Sequence, residues 1–181
     1  MNQHYSPPKT TFVKQLYFLS WRLFGQIVFR LIPLPFFSIR TLLLRLYGAS
    51  IGNSVKIYPS VSIYSPKNLI LGDFVGIGPN AVLYSQGIIK ISDYSIVSQN
   101  TYLCTASHDY NKASFDLVVK QIDIEDNCWI ASYASILPGG SLSQGCILGA
   151  HAVLSSKKTI PWSIYAGNPA KKIKSRANFH S

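Results

Sequence analysis

From Ile51 onward the hydrophobic positions of this chain keep a six-residue rhythm. Aliphatic residues stand at Ile51, Ile57 and Ile63, then at Leu71, Ile77 and Leu83, then at Ile91, Val97 and Leu103. The beat stops there, resumes at Ile124, and continues through Ile130, Ile136, Leu142, Leu148, Leu154 and Ile160. Four residues after most of these heads comes a small or β-branched residue, as at Val55, Ala81, Ser95, Cys128, Ala134 and Ala152, while Lys67, Lys158 and Ile164 break the rule. A self-similar period on this scale predicts a solenoid. Each hexapeptide supplies one short strand and one corner, with the large residue pointing into a narrow interior and the small one fitting the corner. Successive coils then stack as parallel strands about 4.8 Å apart, giving a mainly β, three-sided prism over residues 51–165.

The step from Leu103 to Ile124 is 21 residues instead of six, so 15 residues are inserted at one point. His108 stands at the edge of that insertion, and residues 109–121 are expected to protrude as a covering loop. A rigid scaffold that ends in a loop is where binding and catalytic groups concentrate, which makes His108 the candidate general base. Asp109 and a backbone carbonyl are the alternatives for orienting its ring. Asn53, Asp73, Asp93 and Asp126 each lie two residues after a head and read as turn residues that satisfy backbone donors, rather than as catalytic carboxylates.

Residues 1–50 follow a different pattern. After a polar lead-in over residues 1–11, the stretch 12–29 reads as a helix, Pro33 and Pro35 break it, and a second helix over 37–47 ends at Gly48. Both helices are strongly apolar, but no run approaches the ~20 residues needed to span a bilayer. They pack over an end or flank of the prism, lie through residues 12–47 on an anionic membrane, or do both, since the two are compatible.

Charge sharpens this division. Net charge is +6 over residues 1–50, −2 over 51–153 and +6 over 154–181, so the basic character belongs to the two ends and makes residues 166–181 a basic tail. Basic ends suit anionic lipid or a phosphate-bearing ligand. No helix-turn-helix, zinc-finger or RNA-binding pattern supports nucleic acid as a partner. Cys104, Cys128 and Cys146 are an odd number with no secretory signal and no CxxC, which points to a reducing, cytoplasmic setting, peripheral on the inner face of the cell membrane if the helices touch lipid. Cys128 and Cys146 stack one coil apart and read as buried thiols. His151 is given no role, and His4 and His180 fall in the tails.

Four segments together carry a family resemblance. They are Leu42-Leu43-Leu44-Arg45-Leu46-Tyr47-Gly48-Ala49; Ser98-Gln99-Asn100-Thr101-Tyr102-Leu103-Cys104-Thr105 followed by Ser107-His108-Asp109; Cys128-Trp129-Ile130-Ala131; and Gly167-Asn168-Pro169-Ala170. In this order they resemble the hexapeptide-repeat, left-handed parallel β-helix acyltransferases, and among those the colanic-acid-type exopolysaccharide O-acetyltransferases. The resemblance implies a homotrimer with sites between subunits, acetyl-CoA as donor and a carbohydrate hydroxyl as acceptor; a lipid-linked oligosaccharide acceptor would account for the apolar amino terminus, and no CxxC or His/Cys cluster suggests a metal. It assigns the base to His108 and contact with the acceptor to Asn100, with Asp109 beside it. It places Trp129, Ser132, Ala150, Ser155 and Ser156 along the donor, and Lys171 and Lys174 near its phosphates. Cys104 is not needed as a nucleophile, because transfer to the hydroxyl is direct. The rivals are an acyltransferase acting on an amino sugar, a non-catalytic trimeric scaffold, and a zinc enzyme of the same fold. The last needs two close histidines on one chain, and between Ser98 and Val153 only His108 and His151 occur.

Overall fold

The computed structural model describes residues 11–178. The lead-in up to residue 10, His4 and His180 lie outside that range. The repeat builds a prism with three faces of parallel strands. The first face comprises Ser50–Ile51, Leu69–Leu71, Ile89–Ile91, Ile122–Ile124 and Ser141–Leu142. The second comprises Lys56–Ile57, Gly76–Ile77, Ile96–Val97, Trp129–Ile130, Ile147–Leu148 and Ser163–Ala166. The third comprises Ser62–Ile63, Val82–Tyr84, Tyr102–Cys104, Ser135–Ile136 and Val153–Leu154. The heads from Ile51 to Leu154 line the interior and are buried.

The three corners are not alike. At the first corner, between the first and second faces, Ser54, Phe74, Tyr94, Asn127, Gly145 and Trp162 all take positive φ. At the second, Asn80, Asn100, Tyr133 and His151 do the same. Every departure from strict six-residue spacing falls at the third corner. There the first two coils carry two extra residues each, and the third coil carries the whole insertion. Lys67 and Lys158 belong to this corner and are exposed, which explains why they break the small-residue rule.

The carboxylate ladder at the first corner is structural. Asp73 Oδ1 accepts the Asn53 N–H at 2.6 Å, Asp93 Oδ1 the Asp73 N–H at 2.8 Å, and Asp126 Oδ1 the Asp93 N–H at 3.0 Å. Cys128 and Cys146 remain thiols, donating to the Ser143 carbonyl at 3.1 Å and the Ile160 carbonyl at 2.9 Å.

Two expectations need correction. Ile160 is not a head: it is 57% exposed, while Thr159 is buried in its place and Lys158 bridges to Ser141, so the rhythm slips by one residue as the prism ends. Tyr165, opposite Leu148, then fills the interior, and Lys171–Ser175 folds back antiparallel on Ser163–Ala166 to finish the second face. The insertion is also not a plain loop. Ala106–His108 and Leu117–Val119 pair as a two-stranded antiparallel stem, so only residues 109–116 form the tip.

At the other end, helix α1 (Phe12–Ser20) runs through a π-helical turn, Trp21–Gly25, into α2 (Gln26–Leu31), and α3 (Phe37–Leu46) follows the proline bend. Trp21, Phe29 and Leu44 are fully buried against the prism, each contributing about 1.5–3 kcal/mol of apolar burial. Trp21 Nε1 donates to the Ile63 carbonyl at 2.8 Å. Gly25 makes room for the Trp21 ring, since a Cβ there would also lie 2.9 Å from the Tyr47 ring. Arg40, buried, donates to the carbonyls of Ile57 (3.1 Å), Ile32 (3.1 Å) and Pro33 (2.6 Å). Arg45 holds the carbonyls of Ile51 and Gly52. The packing alternative for residues 12–47 is therefore present: the helices cap the amino-terminal end of the prism.

Candidate active site

The hairpin stem grows from the third corner because Gly87, one coil below, leaves space for it: a Cβ at Gly87 would sit 2.6 Å from Val119 Cγ1. His108 closes the stem opposite Leu117. The tip then returns through Phe115, whose φ is 48°, and the Asp109 N–H donates to the Asp116 carbonyl at 2.9 Å.

His108 Nδ1 lies 2.8 Å from the Phe115 carbonyl oxygen. A carbonyl can only accept, so in the neutral ring the proton sits on Nδ1 and the basic lone pair on Nε2. The Phe115 ring also stacks on the imidazole, with centroids 4.4 Å apart and planes 5° from parallel. Of the two orienting partners open at the sequence level, the backbone carbonyl is the one found. The Asp109 carboxylate is used within the tip, accepting the Asn111 N–H at 3.1 Å and lying 3.6 Å from Lys112 Nζ.

A cleft of about 600 Å³ runs between the hairpin and the later coils, lined by His108, Asp109, Lys120, Pro138, Ser155 and Ser156 among others. Two of these side chains close on Gly139, where φ is +82° and a Cβ would lie 2.9 Å from Ser156 Oγ and 3.2 Å from Lys120 Cδ. Lys120, Pro138 and the Phe115 carbonyl were not singled out from sequence. Lys120 could have been, as the cation closing the insertion; the Phe115 contact depends on a backbone turn that no spacing encodes.

The remaining site candidates lie elsewhere on the prism. Asn100 sits at the second corner with φ of 57° and donates its N–H to the Pro79 carbonyl at 3.0 Å. Ser132 and Ala150 stack at that same corner, where the His151 N–H reaches the Ser132 carbonyl at 3.2 Å. Trp129 is on the second face, 45% exposed, with Nε1 donating to Ser98 Oγ at 2.9 Å. Lys171 and Lys174 lie on the exposed strand added to that face. One chain thus gathers His108, Asp109, Ser155 and Ser156, and holds Asn100, Trp129, Ser132, Ala150, Lys171 and Lys174 apart from them.

No family model matches the sequence. Over 157 residues, however, the chain is 38% identical to the colanic acid biosynthesis acetyltransferase WcaF of Escherichia coli K12, a match covering 86% of this chain and 85% of that one. The chain belongs to this family of hexapeptide-repeat acetyltransferases. Its fold is the family's left-handed parallel β-helix. A hexapeptide-repeat acetyltransferase of Vibrio cholerae O1 biovar eltor, solved with acetyl-coenzyme A, superposes with a TM-score of 0.84 at 21% identity, covering 96% of this chain and 94% of that one. The maltose O-acetyltransferase of Clostridium difficile 630 superposes with a TM-score of 0.82 at 20% identity, covering 93% and 90%. These two likenesses are of fold.

Within this acetyltransferase Cys104 is buried, its Sγ donating to the Ala106 carbonyl at 3.1 Å, an arrangement that leaves the thiol packed rather than presented. His108 and His151 stand at different corners, His151 stacked on Tyr133 with centroids 4.9 Å apart. Among the described residues no three His, Cys, Asp or Glu side chains form a metal-binding group.

Proposed function

We propose that the protein transfers an acetyl group from acetyl-CoA to a carbohydrate hydroxyl, of the kind used in exopolysaccharide biosynthesis, with His108 as general base. The observation that carries this reading is the His108–Phe115 contact, which sets the basic nitrogen of a ring lining an open cleft. His108 Nε2 takes the hydroxyl proton as the sugar oxygen attacks the thioester carbonyl. The tetrahedral intermediate then expels the coenzyme thiolate as the C–S bond breaks, and the imidazolium returns its proton to sulfur. No covalent enzyme intermediate forms. Ser155 and Ser156 lie along the donor in this scheme.

The separation of the other candidates supports a homotrimer. In it, a neighbour brings its second corner and second face, with Asn100 for the acceptor, Trp129, Ser132 and Ala150 for the donor, and Lys171 and Lys174 for the phosphates. As a lysine carries its charge on a single ammonium, those phosphate contacts would be point-like rather than forked. Acetyl-CoA belongs to the cell interior, which puts the reaction on the cytoplasmic side.

The test is release of coenzyme thiol with a panel of oligosaccharide acceptors, comparing wild type with His108→Ala. Loss of a base of this kind should lower turnover ~10²–10⁴-fold, about 3–5 kcal/mol of barrier, with coenzyme binding retained. Undiminished turnover would remove His108 from the mechanism. A folded wild type that binds no coenzyme would favour a non-catalytic scaffold, and turnover confined to amino-sugar acceptors would move the product from ester to amide.

A further inference from the structure

The helices that cap the prism are apolar on both sides. Their inner sides bury Trp21, Phe29 and Leu44. On the outer side of α1 and α2, Phe12, Leu16, Leu19, Leu23, Ile27 and Leu31 recur every three or four residues, and Ile39, Leu42 and Leu46 do so on α3. These nine side chains are between 48% and 77% exposed. Single exposed aliphatics are ordinary, but periodic stripes on successive helices mark an interaction surface.

Charge says what the stripes face. Residues 1–50 contain no acid. Arg40 and Arg45 are used on backbone carbonyls, whereas Lys14, Arg22 and Arg30 stay exposed beside the stripes. The Arg22 guanidinium rests 5.5 Å from the Tyr64 ring centroid, and Arg30 lines a groove with Pro59, Ser60 and Asn80. A second copy meeting it through the same face would set cation against cation, with no carboxylate in residues 1–50 to answer it. A glycan would meet aliphatic side chains it cannot hydrogen-bond. A bilayer rich in anionic lipid meets both demands, its acyl boundary taking the Leu, Ile and Phe side chains and its phosphates the cations. No helix among the described residues is long and apolar enough to cross a membrane, so the contact lies in the interfacial plane.

We infer that the outer face of α1–α3 seats the protein on an anionic lipid surface, with the capped end of the prism toward the bilayer. The test sediments the full chain with vesicles of phosphatidylcholine alone and of phosphatidylcholine mixed with phosphatidylglycerol. Wild type should pellet with the mixed vesicles, and added salt should weaken that binding. Arg22→Gln with Arg30→Gln should reduce partition roughly thirtyfold, since each cation near an anionic surface is worth about fivefold. Leu23→Ser, Ile27→Ser and Leu31→Ser combined should abolish it. Both variants should keep the wild-type melting curve and should transfer acetyl to a soluble acceptor as wild type does, so membrane binding and catalysis are read separately. Wild type left in the supernatant with mixed vesicles overturns the inference, as does full binding by the triple variant. A triple variant whose assembly shrinks in sedimentation velocity also overturns it, by showing that another copy covers the face.

Discussion

At the level of single residues, His108 depends on Phe115 twice, through its carbonyl and through its ring, and both contacts arise from one left-handed turn in the hairpin tip. His108 itself was legible in the sequence because it sits where the rhythm stops. Phe115 was not, because nothing in an eight-residue tip announces which carbonyl will turn inward. The ladder residues Asp73, Asp93 and Asp126 were legible in role, since their spacing repeats with the coil and a repeated carboxylate can accept the N–H of the coil before it. Cys128 yields a prediction at this scale. Burial pushes its thiol from an ordinary value near 9 up to about 12. The folded chain therefore keeps a proton that the unfolded chain releases. The resulting stability is full below about pH 9 and is lost as pH rises towards 12. Melting temperatures followed across that range should fall less steeply in Cys128→Ala than in wild type. Native Cys128 should also resist alkylation until the chain is unfolded.

Elements differ in how far a pattern can announce them. The strands were predictable because a head residue buried in a narrow interior leaves no second solution for register. The helices were predictable from apolar periodicity and the Pro33–Pro35 break, but the π-helical turn at Trp21–Gly25, in which Gly25 lies against the Trp21 and Tyr47 rings, was not. The hairpin stem escaped because Leu117, Val118 and Val119 look like any short apolar run until Ala106–His108 is beside them. Gly87 tests the stem's importance. A valine there would meet Val119 directly and push Leu117–Val119 off the prism, shifting His108 with it. Gly87→Val is expected to lower turnover by at least about tenfold while costing the fold only ~1–3 kcal/mol, the usual range for overpacking. Thiol-release kinetics beside thermal melts would separate the two. An equal fall in activity and stability would mean the stem is merely part of the core.

Taken whole, the molecule keeps its candidate site residues in two groups, one at the third corner and one around the second corner and second face. Sequence alone could name members of both but could not say that a single chain keeps them apart, because a hexapeptide pattern fixes height along the axis and leaves the neighbour out. Subunit mixing checks the trimer reading. Asn100→Gly removes the side chain while suiting the positive φ of that position. Alone, Asn100→Gly and His108→Ala should each be nearly inactive. Trimers refolded from a mixture of the two should regain activity, because some interfaces then pair an intact His108 with a neighbour's intact Asn100. Activity no higher than that of the single variants would place both residues in one protomer's site.

The unequal corners have a consequence for how such a chain can change. Two corners are pinned by stacked left-handed residues, so lengthening either would tear the ladder above and below it. The third already accommodates spacings of six, eight and 21 residues between heads without disturbing the faces. That edge works as a splice point: segments grafted near residues 64–68 or 84–88 would project beside the existing hairpin, two coils and one coil beneath it respectively. New specificity in this scaffold can therefore be added by extending one edge of the prism while its interior stays untouched.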